Sequence, residues 1–246
     1  MTPEIDMSRS FEELARTDTP LGEIVLRRRL EPISHRDIHE VILAGDGLMS
    51  SLFTHGEEQL AELGLAASTS DTLDVVVGGL GLGYTARTVL QDARVRTLHV
   101  IDTLDVVIDW HERHLVPVGA ELTGDPRCTL VHGDFFALVG QDPPMLRAGS
   151  PTHFDAILAD IDHSPRHLLD PSHASLYTPI GLRRLGRHLR PHGVFALWSN
   201  DAPDDDVVAD LRTCFARADA HVISFWNFLV DDHTRSTIYV ASDPLP

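Results

Sequence analysis

Apolar residues before residue 50 fall in short runs broken by charged ones. Gly22-Glu-Ile-Val-Leu-Arg-Arg-Arg-Leu30 and Ile38-His-Glu-Val-Ile-Leu43 predict two strands, with Pro32 and Ser34 between them and Gly45-Asp-Gly47 as a following turn. Residues 1–17 are polar, with a frayed helix expected around Phe11–Ala15. Glu57–Leu65 predicts a short helix leading through Ser68–Asp71 into a strand. From Leu73 onward strands and helices alternate. Strands are expected at Leu73–Gly79, Arg96–Asp102, Cys128–His132, Phe154–Asp160 and Val194–Ser199, with two last ones at His221–Phe225 and Thr237–Ala241. Helices are expected from Tyr84, over Leu104–His114, near Gly181–Leu189 and over Asp205–Ala216. Such alternation specifies an α/β sheet with helices on both faces. It divides the chain into an N-terminal β region, 1–60, and a Rossmann-like domain, 61–246.

The stretch Asp74-Val-Val-Val-Gly-Gly-Leu-Gly-Leu-Gly-Tyr-Thr-Ala86 carries the first chemical signal: an apolar run, four glycines in six positions, then a helical pattern. A strand entering a glycine turn lets backbone N–H groups approach a ligand, and the next helix points its positive end there. A nucleotide-like ligand follows as the first candidate, against a tight turn that binds nothing. Thr97-Leu-His-Val-Ile-Asp102 ends in an acid 19 residues after Gly83. That is close to the ~20-residue spacing at which a carboxylate meets ribose hydroxyls. Asp102 could equally cap the helix starting near Leu104, and the two roles are compatible. In sheets of this kind ligands bind outside the carboxyl ends of the strands, where Asp102, Asp134 and Asp160 all fall.

Composition narrows the partners. With 43% hydrophobic residues in 246, the chain can bury a full core. A formal net charge of −17 argues against nucleic acid or an anionic membrane and is compatible with a cationic small molecule. Every basic residue is Arg, which excludes Schiff-base and P-loop lysine chemistry. Cys128 and Cys214 are too few for a disulfide framework or a thiolate zinc site. The first residues show no signal-peptide pattern and no apolar run approaches ~18 residues, so a soluble, cytoplasmic protein is expected.

With these features the chain resembles the spermidine synthases (polyamine aminopropyltransferases), members of the class I S-adenosylmethionine-dependent methyltransferase fold. The resemblance runs from about Thr19 to the C-terminus. It includes Thr19-Pro-Leu-Gly-Glu-Ile, the Gly-Asp-Gly turn, the glycine loop, Asp102, Asp125-Pro-Arg, Gly133-Asp134, Phe154-Asp-Ala-Ile-Leu-Ala-Asp160 and Leu189-Arg-Pro-His-Gly193. It implies a seven-stranded, mostly parallel sheet with an antiparallel final strand, and a homodimer assembled through the N-terminal β region. It implies decarboxylated S-adenosylmethionine or S-adenosylmethionine as co-substrate. Gly79, Gly81 and Gly83 would line the nucleoside and amino-acid part, Asp102 would hold the ribose and Asp134 the adenine amino group. Asp160 matches the family's proposed base, which takes a proton from the attacking amine without a metal.

Departures from the family pattern touch the amine side. Gly78–Gly83 lacks the acid that the family's loop turns toward the aminopropyl ammonium. The Asp160 loop is one residue longer, with Asp162 or His163 where a second acid is expected. Glu62 is the possible counterpart of the family's Tyr-His-Glu segment, and Trp198 replaces a Gln at the fifth strand end. The expected substrate contacts are therefore Glu62, Asp162, His163 and Trp198. A methyltransferase using intact S-adenosylmethionine is the nearest alternative, with magnesium on Asp160, Asn200 and Asp201 as one form of it. A non-catalytic nucleoside-binding protein is the third. His163 and His167 share a helical spacing without a third zinc ligand. Asp204-Asp205-Asp206 reads as a helix cap, and Trp198, Phe225 or Trp226 could stack on substrate.

Overall fold

A computed structural model describes residues 11–246. Four strands, β1 (Phe11–Thr19), β2 (Gly22–Leu30), β3 (Asp37–Leu43) and β4 (Asp46–Ser50), form an antiparallel sheet in sequence order. The helix expected at Phe11–Ala15 is instead part of β1. Its Glu12 and Glu13 lie opposite Arg28 and Arg27, with a 2.6 Å ion pair from Arg28 to Glu12. A single helical turn is marginal in water, so pairing with a formed strand decides the conformation. β4 adds to the two strands expected in this region; Asp-Gly-Leu-Met-Ser is short, carries a glycine and reads as a turn by itself. Ile24, Leu26 and Val41 are fully or almost fully buried and pack this sheet onto the main core.

The second sheet holds β5 (Leu73–Gly78), β6 (Val95–Asp102), β7 (Cys128–His132), β8 (Phe154–Ala159), β9 (Leu189–Ser199), β10 (Phe215–Asn227) and β11 (Asp232–Pro244), in the order β10-β11-β9-β8-β5-β6-β7. Only β11 runs antiparallel to its neighbours. β5 and β8 are buried at every residue, as expected of central parallel strands covered by helices on both faces. The helices are α1 (His55–Ala66), α2 (Tyr84–Gln91), α3 (Asp105–Glu112), α4 (Gly119–Gly124), α5 (Phe135–Val139), α6 (Pro179–Gly186) and α7 (Asp205–Arg212). None is long and apolar enough to cross a membrane among the described residues.

Successive strands step from β5 outward to β7, and the chain then crosses back to place β8 on the other side of β5. That reversal opens a crevice beyond the carboxyl ends of β5, β6 and β8. The opposite ends are tied by Asp74, which accepts from Thr97 and Arg190 at 2.8 and 2.7 Å and also from Arg96. Burial alone would raise this carboxyl; the bonds from Arg96 and Arg190 win and hold it at about 2.

Candidate active site

The glycine loop leaves β5 and threads between the ends of β6 and β8. Gly79 N–H donates to the Ile101 carbonyl at 2.9 Å, and Asp160 N–H donates to the Gly78 carbonyl at 2.8 Å. Gly79 adopts φ +95°, and a Cβ there would lie 2.0 Å from the Asp160 carbonyl oxygen, so only glycine fits. Asp102, the last residue of β6, accepts from Leu80 N–H through Oδ2 and from Leu104 N–H through Oδ1, both at 2.9 Å. This carboxylate ties the loop to the segment that enters α3, whose N-cap position is Leu104 and carries no side-chain cap. Each oxygen keeps a second lone pair for an incoming hydroxyl. Burial raises this carboxyl against the opposing pull of those N–H groups.

Above the loop lies a cavity of about 250 Å³ bordered by Gly79, Gly81, Asp102, Asp134 and Asp160. Ile101, Leu104, Phe135 and Phe136 give it apolar walls, and the N-terminal sheet closes it with Ile24, Val41 and Met49. Asp134 caps α5 by accepting from Ala137 N–H at 3.1 Å. Flat apolar walls, a carboxylate on the second strand and a side-chain-free backbone cradle together suit a nucleoside. Gly83 stands apart from this cavity, capping α2 at the border of a second one.

The second cavity, about 90 Å³, is bordered by Glu57, Tyr84, His163, Trp198 and again Asp160 and Gly81. Asp160 faces both spaces. Its Oδ2 accepts from Thr85 Oγ1 at 2.5 Å. Burial pushes this carboxyl up to about 6 in spite of the Thr85 bond. Burial and the Asp160 charge push Glu57 up to about 8. Trp198 is seated against α1: a Cβ on Gly56 would lie 2.5 Å from its Nε1. Next to it, His55 stacks on Phe225 with ring centroids 4.7 Å apart.

Two of the expected substrate contacts lie elsewhere. Glu62 is on the outer face of α1, bonded to Gln59, and borders neither cavity. Glu57 occupies the inward position, because it precedes the buried Leu60, Ala61 and Gly64 by three, four and seven residues. That periodicity is visible in the sequence and is the signal that selects the inward acid. Asp162 is wholly buried and accepts from Leu169 N–H, His173 Nδ1 and Tyr177 Oη, each at 2.8 Å. It pins the segment after β8, whose His173 stacks on Phe136 at 3.7 Å and borders the larger cavity. His163 and Trp198 do border the smaller cavity.

No group of three or more His, Cys, Asp or Glu suited to a metal ion gathers among the described residues. Asp201 turns to His167 at 3.2 Å, and Asp204 caps α7 and pairs with Arg166 at 2.8 Å.

No family model matches the chain. It is 29% identical over 173 residues to polyamine aminopropyltransferase 2 of Pseudomonas aeruginosa, covering 64% of this chain and 45% of that protein. It is 26% identical over 163 residues to putrescine N-methyltransferase 2 of Nicotiana tabacum, covering 64% and 42%. The matches thus span less than half the length of these curated relatives. Among solved structures, spermidine synthase from Thermotoga maritima superimposes with a TM-score of 0.70 at 17% identity, covering 94% of this chain and 72% of that one. A spermidine synthase in complex with the transition state analogue AdoDATO gives 0.71 at 17% identity, covering 94% and 73%. In sequence and in fold, then, this chain is similar to the spermidine synthases (polyamine aminopropyltransferases) and carries their methyltransferase-like sheet.

Proposed function

We propose that this protein is a transferase that moves an aminopropyl group from decarboxylated S-adenosylmethionine to an amine. The observation that carries the reading is Asp160, a half-buried carboxylate shared by a nucleoside-sized cavity and a smaller acidic one. The co-substrate, held by Asp102, Asp134 and the backbone at Gly79 and Gly81, supplies an electrophilic carbon on a sulfonium. Asp102 orients the ribose hydroxyls and keeps the glycine loop in place. The free lone pairs of Asp160 receive the proton that the acceptor nitrogen loses as it bonds to carbon, while the carbon–sulfur bond breaks and its electrons stay on sulfur. The walls of the small cavity, Trp198 among them, hold the amine at that spot and limit water.

Methyl transfer from intact S-adenosylmethionine is the second reading. It is favoured by the absence of any acid in Gly78–Gly83 and by the similarity to putrescine N-methyltransferases. Incubation with each co-substrate in turn and a panel of amines, followed by mass spectrometry, separates the readings. A gain of one aminopropyl group supports the proposal; a gain of one methyl group replaces it with the second reading. Neither gain, with nucleoside bound, would leave a non-catalytic binding protein. The edge positions of β1 and β4 further support a homodimer built through the N-terminal sheet. Light scattering at 27.2 kDa would remove that part.

A further inference from the structure

Four glycines in six positions leave little in the loop after β5 to fix its shape from within, so the contacts that hold it come from its neighbours. Gly79 N–H donates to the Ile101 carbonyl at 2.9 Å, Gly83 N–H to the Leu80 carbonyl at 2.8 Å, and Leu80 N–H to Asp102. Gly81, with φ +48°, borders both cavities, and its carbonyl oxygen lies 2.9 Å from Nε2 of His111. A carbonyl only accepts, so Nε2 carries the ring proton.

His111 belongs to the inward face of α3, seven, four and three residues after the buried Leu104, Val107 and Ile108. It is fully buried, and its Cε1 meets the loop a second time, where a Cβ on Gly83 would lie 2.7 Å away. Nδ1 is buried with no hydrogen-bond partner among the described residues. Burial holds this imidazole below its usual range against the opposing pull of the Gly81 carbonyl, so the ring stays neutral. An aromatic hydrocarbon would fill the same space without an unpaired nitrogen, so packing alone does not account for a histidine here. The bond to Gly81 does. Without it the peptide after Gly81 can turn over, since glycine tolerates both orientations, and a loop of several shapes binds a ligand more weakly.

We infer that His111 is a positioning residue, whose Nε2–H fixes the Gly81 peptide and with it the glycine loop in the shape that the nucleoside site uses. The inference rests on the proposed nucleoside site, so its test reads the loop both with and without ligand. Three variants separate the bond from packing: Gln reaches the place of Nε2, Asn only that of Nδ1, and Phe keeps a ring without a donor. Methylthioadenosine affinity, by calorimetry, should stay within about threefold of the parent in His111→Gln and fall at least about tenfold in His111→Asn and His111→Phe. Hydrogen exchange at the Leu80 and Gly83 amides, measured without ligand, should be parent-like in His111→Gln and at least about tenfold faster in the other two. Parent-like exchange in His111→Asn or His111→Phe would overturn the inference, as would parent-like affinity there or a His111→Gln as impaired as they are. Failure of all three to fold would make His111 a core residue and overturn it too. The expected exchange pattern in a parent that binds no methylthioadenosine would count against the proposed nucleoside site alone.

Discussion

Thr85 donates its hydroxyl hydrogen to Oδ2 of Asp160 at 2.5 Å, linking the helix after the glycine loop to the acid at the end of β8. The bond stabilises the ionised carboxylate, the form that accepts a proton, against a burial that disfavours it. Asp160 is ionised above about 6, so transfer falls as the pH drops through that value. Thr85→Val removes the donor, raises the carboxyl further and moves the acid limb of the kcat/KM profile upward by about one unit. A pH–rate series on both proteins checks it; an unmoved limb would show that another group sets the profile.

Asp102 holds the glycine loop as well as facing the larger cavity. Asp102→Ala frees the Leu80 and Leu104 N–H groups and removes the ribose acceptor together. Methylthioadenosine affinity should fall by at least about tenfold, with a lower melting temperature, since two backbone N–H groups lose their acceptor. Calorimetry and thermal melting measure the two effects. Binding within about twofold of the parent would remove Asp102 from the nucleoside site.

Glu57 costs the fold stability in exchange for its place in the cavity. Its folded-state carboxyl is raised from 4.5 to about 8, so the native chain holds this proton more tightly than the unfolded chain does. Between those values its contribution becomes more unfavourable as pH rises, and below the lower one it vanishes. Glu57→Gln should therefore melt higher than the parent, by several degrees at pH 8 and by little at pH 4.5. Melting curves at the two pH values test the sign; equal melting at pH 8 would mean that Glu57 is ionised freely.

The parallel core was legible because continuous apolar runs such as Ala156–Ala159 and the glycine-to-Asp102 spacing depend on sequence alone. Trp198 and Asp160 were legible for the same reason, standing at or just past strand ends. What failed depended on pairing and direction. β1 is polar along most of its length and becomes a strand only because Arg27 and Arg28 lie opposite its glutamates. Asp162 is two residues from Asp160, yet the chain turns between them and buries it against Tyr177. Likeness to a motif points to Glu62, whereas the apolar face of α1 selects Glu57.

The central claim is that Asp160 receives the proton of the attacking amine where the two cavities meet. Asp160→Asn keeps the size and the Thr85 partner but removes the basic oxygen. The decisive measurement is the transfer rate of this variant beside its methylthioadenosine affinity. The account predicts a loss of about two orders of magnitude or more in rate with nucleoside affinity within about threefold of the parent. Transfer at near the parent rate in Asp160→Asn would contradict it.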